Sequence, residues 1–174
     1  MSIEFELDLK RPDYFRCVST ASFPGSTPSR PSDLVQGGEG RYFARRGFAQ
    51  AATNEYGSLG AAIESTAGGS QGASYFVPDL FFHPVSGYPL QFPGFSLHRL
   101  RELKVERNEL FDNGQCVVIS GTPYEGARYF IWVNLRDGLL RKLRLERENG
   151  FVEEVHRSIE INPAIPKSRF VRKP

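Results

Sequence analysis

A mostly β fold, built on a curved antiparallel sheet with one apolar face, is predicted by three observations. Apolar and polar residues alternate from the third position, with Ile3, Phe5, Leu7 and Leu9 set against Glu4, Glu6, Asp8 and Lys10, the period of a half-buried strand. Asn113-Gly114, Asp137-Gly138 and Asn149-Gly150 divide the second half into short runs, and Asx-Gly between alternating runs is a strong hairpin signal. Only one stretch reads clearly as a helix.

The elements come in order along the chain. After the Ile3–Leu9 strand, RPDYFRCVST reads as a second extended stretch, with Pro12 marking a bulge or a break. ASFPGSTPSRPSD is rich in Ser, Pro and Gly and reads as a long exposed loop. GRYFARRGFAQAAT reads as a hairpin turning near Arg46-Gly47. Ser58 then caps the helix, Leu59, Ala62 and Ile63 form its apolar stripe, and Gly68-Gly69 stop it. ASYFVPDLFFHP is too short and too broken by proline for a long helix, so one or two turns are expected.

The rest is a meander: a stretch with Leu103, Val105 and Phe111, then QCVVISGT, ARYFIWVN, LLRKLRLER and FVEEVHRSIEI. From Leu139 the odd positions carry Leu143, Leu145, Phe151, Val155, Ile159 and Ile161, and the even ones carry Lys142, Arg144, Glu146, Glu154, His156 and Glu160. Leu140 and Arg141 break the rule at one strand start. One greasy face and one wet face are therefore expected, with Glu154 and His156 on the wet one. Asn162-Pro163 ends the last strand, and Phe170 is expected to turn back into an apolar hole.

Size and composition restrict the possibilities. A chain of 174 residues suits one domain, residues 1–174, with a proper core. A net charge of +2 is too small to imply nucleic acid or an anionic membrane. No apolar run spans a bilayer, and MSIEFELDLK carries acids where a signal peptide has its hydrophobic stretch. Cys17 and Cys116 lack metal-type spacing; they read as two small buried hydrophobes, with a disulfide as the sharper option.

Catalytic motifs are weak. Gly68-Gly69-Ser70-Gln71-Gly72 matches the G-x-S-x-G of hydrolases, but that chemistry needs a strand before the serine and a helix after it. Here a helix precedes Ser70, so an esterase ranks last. His83 and His98 have no carboxylate at ligand spacing, and no metal or cofactor is expected. Glu153 and Glu154 are adjacent, so on a strand they point to opposite faces and cannot work as a pair. Arg136, Arg141, Lys142, Arg144 and Arg147 form a basic stretch without an aromatic platform, which reads as a solvated face.

The aromatic residues are the sharper signal. Phe76, Phe81, Phe82, Phe92 and Phe95 crowd together beside Tyr75 and Tyr88, while Phe130 and Trp132 share a strand face opposite Tyr129, Ile131 and Val133. Plain core is the simple reading. The functional reading is a lid whose aromatics close over an apolar cavity, because a sheet with more apolar surface than its helices cover tends to bind something greasy.

NGQCVVISGT, RYFIWVNLRDGLLRKLRLE and SIEINPAIPKSRFVRKP succeed one another in an order that resembles the LolA-like family, the periplasmic lipoprotein carriers and their bacterial relatives. The features that carry the resemblance are the Trp132 strand, the Asp137-Gly138 turn, the basic-apolar strand Leu139–Glu146, and the tail from Asn162-Pro163 through Pro166 to Phe170. FELDLKRPDYFR is similar to the second or third strand of that family, with its Arg-Pro followed by an aromatic residue and Arg. The resemblance implies an open half-barrel with a small helical lid, whose concave face holds acyl chains. The family's N-terminal helix and first strand are not evident before Ile3, and its functional arginine has no matching position. A non-catalytic binding protein of the cell envelope is therefore expected, periplasmic by resemblance, with a lipid or acylated protein as ligand. The cavity candidates are Phe76, Phe81, Phe82, Phe130, Trp132, Leu143 and Leu145. The alternative is a sensor or regulatory module that binds a partner protein through the same face.

Overall fold

Among the described residues, ten strands, each paired antiparallel to its neighbours, carry the fold together with two short helices, as a mostly β chain requires. The computed structural model describes residues 2–22, 33–45, 47, 53–70, 73–82 and 97–171. The chain divides into two compact units, Met1–Gln91 with Ala164–Pro174, and Phe92–Pro163. Each unit holds one five-stranded sheet in simple up-and-down order, and neither sheet closes into a barrel among the described residues.

In the first unit the order is β1 (Ser2–Lys10), β2 (Tyr14–Ser22), β3 (Asp33–Gly38), β4 (Arg41–Arg45) and β5 (Thr53–Tyr56). The alternation in β1 and β2 works as expected: Phe15 and Cys17 pair with Leu9 and Leu7, and they continue across the sheet into Val35 and Ala44. Phe15, Cys17, Val35 and Ala44 are all buried. Helix α1 (Leu59–Ser70) packs against β2, β3, β4 and β5, and α2 (Ala73–Phe82) against α1 and β1. The Ser58 hydroxyl accepts the Ala61 amide at 3.2 Å, the expected cap. Gly68-Gly69 do not stop α1, which runs on to Ser70.

Two local features depart from the sequence pattern. Residues 33–38 form β3, a strand that the pattern does not announce; Glu39 and Gly40, at φ 56° and 75°, make the tight turn into β4. An acid and a glycine in left-handed conformation are what a two-residue hairpin needs, so the glycine-rich Gln36-Gly37-Gly38-Glu39-Gly40 is strand and turn although its composition is that of a loop. Pro78 lies inside α2, which at 10 residues is longer than the one or two turns expected. The hairpin predicted near Arg46-Gly47 corresponds to the β4–β5 pair; Arg46 itself, and also His83, Tyr88, Phe92 and Phe95, lie outside the described residues.

The second unit is the predicted meander: β6 (Arg101–Phe111), β7 (Gly114–Thr122), β8 (Ala127–Asn134), β9 (Leu140–Arg147) and β10 (Gly150–Val155). The last strand ends at Val155, not at Ile161. Its partner β9 begins at Leu140, so after the His156 amide donates to Arg141 O at 2.9 Å only one residue of β9 is left for the chain to pair with.

The tail completes the first unit. Residues Lys167–Phe170 form a short 3-10 turn, and Phe170 is 2% exposed against Tyr14. Polar clasps hold the approach. Lys10 Nζ donates to Ile165 O at 2.8 Å, Gln36 Nε2 to Val171 O at 3.0 Å, and Lys167 Nζ to Glu39 Oε1 at 2.8 Å.

Candidate functional site

The register of the second sheet decides which side chains meet. Trp132 pairs with Val118 and Lys142, and Phe130 with Ser120 and Arg144, so these six share one face. Ile131 pairs with Ile119 and Leu143, and Tyr129 with Gly121 and Leu145, so these share the other. The candidate residues Phe130 and Trp132 therefore lie on the opposite side of the sheet from Leu143 and Leu145. A single cavity lined by all four is ruled out by the two-residue period of the strands.

The Trp132 face is a small core roofed by ions. Cys116, Val118 and Trp132 are buried, with Phe111 and Phe130 packed against them. Lys142 Nζ sits 4.7 Å from the Trp132 ring centroid and 5.4 Å from that of Phe111, and it pairs with Glu153 at 2.7 Å. The indole Nε1 donates to Glu109 Oε1 at 3.1 Å. Arg107 and then Trp132, by their hydrogen bonds, hold the Glu109 carboxyl below its usual range. Beside them Ser120 Oγ donates to Glu106 Oε1 at 2.6 Å, and Arg128 reaches the same oxygen at 3.1 Å. Every partner is internal, so this face reads as structure.

The opposite face is apolar and unevenly covered. Tyr129, Ile131, Leu143 and Leu145 are buried in its middle. Its row runs from Val105 on β6 through Ile119, Ile131 and Leu143 to Glu154 on β10. On β6, the end strand of the sheet, Leu103 and Val105 are each 64% exposed and Leu110 66%. A bulge between Val105 and Arg107 shifts the register, which returns Leu110 to the same face by its pairing with Gln115.

Glu154 and His156 lie on this face, which corrects the expected wet position for both. Arg147 pairs with Gly150, leaving two residues in the turn, and that pairing sets odd residues of β10 beside even residues of β9. Phe151 thus joins Glu146 in solvent, while Glu154 joins Leu143. His156 Nε2 lies 2.5 Å from Glu154 Oε1, and His156 Nδ1 lies 2.9 Å from Leu140 O. A carbonyl only accepts, so Nδ1 carries a proton. Burial pushes the Glu154 carboxyl up, against the pull of His156. Burial opposes the charge on His156, but the hydrogen bond and charge of Glu154 outweigh it, and the imidazole is raised too. Both shifts hold a proton within the pair.

The remaining candidates belong to the first unit. Phe76 and Phe82 are buried in α2, and Phe81 is half-buried, edge-on to Phe82 at 5.0 Å. Arg11 lies over the Phe81 ring at 5.5 Å and donates to Phe81 O at 3.0 Å. Cys17 and Cys116 are each buried thiols on β2 and β7, not the two halves of a disulfide. Ser70 is the last residue of a helix, not the first residue after a strand.

No protein-family model matches the chain, and no curated protein matches it. Among the described residues no group of His, Cys, Asp and Glu could hold a metal ion. No described helix is long and apolar enough to cross a membrane. A shallow groove of about 330 Å³ is lined by Thr122, Gly126, Ala127, Arg128, Glu146 and Arg147, none of them a cavity candidate.

Proposed function

We propose that this chain is a non-catalytic binding protein of the bacterial cell envelope that holds a hydrophobic ligand, a lipid or a lipoprotein acyl chain, on the apolar face of its second sheet. One observation carries the reading. Buried Ile131, Leu143 and Leu145 continue sideways into Leu103, Val105 and Leu110, which are about two-thirds exposed on the end strand. An apolar face that is finished on one side and open on the other suits a ligand that slides in along it. The likeness of the strand order and tail to the LolA-like carriers supports the same reading, and the extracytoplasmic location rests on that likeness alone. Within the cavity set, Leu143 and Leu145 belong to the proposed face and Trp132 and Phe130 do not.

The second reading is a sensor or regulatory module that docks a partner protein on the same face. It is favoured by the position of β6 at the end of its sheet, where unpaired backbone groups can accept an added strand. Displacement of an environment-sensitive dye by long-chain lipid separates the two. Micromolar displacement from the wild type, lost in Leu103→Asp with Val105→Asp, is expected. A folded wild type that binds neither dye nor lipid would leave the partner-docking reading in its place.

A further inference from the structure

The outer edge of β6 is open, and the strand that carries it matches itself. β6 ends its sheet, so among the described residues no strand pairs with that edge. Leu103, Val105 and Leu110 are about two-thirds exposed, and the side chains of Lys104 and Arg107 are 65% and 53% exposed. A long exposed edge with apolar side chains is a template for another strand. Bulges and charges ordinarily guard such an edge; on β6 they restrict the pairing to one partner and one register.

The bulge between Val105 and Arg107 sets the order of faces. Val105 pairs with Ile119, Asn108 with Val117 and Leu110 with Gln115, so these three lie on the apolar side, and Leu103 joins them against Gly121. Lys104 pairs with Ser120, Arg107 with Val118 and Glu109 with Cys116 on the other side, where Glu106 accepts the Ser120 hydroxyl. Outward from the Glu106–Arg107 peptide, both directions therefore run through the same order of faces: ionic, apolar, ionic, apolar. A strand with that symmetry meets an antiparallel copy of itself with every face matched.

We infer that β6 pairs antiparallel with β6 of a second copy of this chain, about a two-fold axis between Glu106 and Arg107, and joins two five-stranded sheets into one. Charge complementarity selects this occupant. In that register Glu106 faces Arg107 of the other copy and Lys104 faces Glu109, and each pair occurs twice by symmetry. Leu103 faces Leu110, and Val105 faces Asn108. A one-residue slip sets Glu106 against Glu106, or Arg107 against Arg107, and like charges directly opposite are destabilising. Within one chain Lys104 already pairs with Glu106 at 3.1 Å and Arg107 with Glu109 at 2.7 Å, so all four charges stand on one side of the strand. The inference goes beyond the proposed binding of a hydrophobic ligand and does not depend on it, because the pairing uses the edge of the sheet and the ligand its face.

Sedimentation of the full chain at low salt tests the pairing. A short edge-to-edge contact is at the small end of interfaces, so a monomer–dimer equilibrium should appear as concentration rises into the high micromolar range. Lys104→Glu alone and Glu109→Lys alone each set like charges opposite one another, and each should weaken self-association by about tenfold or more. Mixed in equal amounts, the two variants face opposite charges at both positions and should form a heterodimer as tight as the wild-type dimer. Glu109 also accepts the Trp132 indole, so thermal melting checks that its variant is folded. If it is not, cross-linking decides: Leu103→Cys mixed with Leu110→Cys should form an interchain disulfide under copper–phenanthroline oxidation. Neither variant should do so alone, because equal positions lie seven residues apart along the pair, about 23 Å. A chain that stays monomeric, a dimer that tolerates both charge reversals, or cross-links only within the single variants would overturn the pairing and leave the ligand reading standing. Lipid that fails to displace the dye from an intact dimer would overturn the ligand reading alone.

Discussion

Phe170 packs its ring against Tyr14 with centroids 5.4 Å apart and planes tilted by 49°, joining the end of the chain to its second strand. Tyr14 in turn lies over Gly38 of the neighbouring hairpin, where an added Cβ would run into the ring. Lys167 approaches the same ring at 5.2 Å. A proline-punctuated tail is thereby held by one aromatic pair, with charged clasps outside it.

Phe170→Ala should lower the stability of the first unit by about 3 kcal/mol or more, the usual cost of emptying a buried phenylalanine site. Lys167→Ala should change it little, because the Lys167–Glu39 pair is exposed. Chemical denaturation of both variants checks the contrast. Equal effects would mean that the clasps, and not the ring, hold the tail.

Gly38→Ala should destabilise by about 1–3 kcal/mol through overpacking against Tyr14. In the background of Tyr14→Ala the same change should be nearly silent, since the obstructing ring is gone. A double-mutant cycle measures the difference, and additive effects would remove Tyr14 as the cause.

Ligand bound to the apolar face of the second sheet should leave Trp132 emission almost unchanged, because Trp132 lies on the other face under Lys142. The reporter belongs instead at Leu103: a dye placed on Leu103→Cys should shift on adding lipid. A large Trp132 shift with a silent Leu103 dye would move the ligand to the opposite side of the sheet.

Glu154 and His156 both bind protons more tightly when folded, above ordinary values of 4.5 and 6.5. The folded state then holds more protons than the unfolded chain, and stability falls as pH rises. The His156 contribution is complete below 6.5 and is lost as pH climbs through its raised value; the Glu154 contribution has the same sign from 4.5 upward. Urea midpoints from about pH 5 to about pH 9 should decline more steeply for wild type than for Glu154→Gln. A wild-type curve no steeper than the variant's would mean that the pair holds no extra proton.

Reductant should not change the melting temperature, because Cys17 and Cys116 are both buried thiols and burial raises the pKa of Cys116. A reductant-dependent shift would point to a disulfide after all.

Much of the fold was legible because strands write their period into the chain. Ile3 to Leu9, the Asx-Gly turns and the Ser58 cap each carry a local physical cause, and the strands, hairpins and helix appear where those causes lie. Even the burial of Phe170 could be read, from prolines that end a strand and restrict the residues beyond it. The partners at a distance could not. Whether Glu154 faces water or Leu143 turns on a two-residue turn at Glu148-Asn149, and one residue more or less would exchange the two faces of β10. Trp132 likewise read as a cavity residue until the β8–β9 register set it beside Lys142 and away from Leu143. Periodicity determines that a strand has two different faces; only the pairing of strands determines which faces coincide, because register is a relation between segments and belongs to neither one.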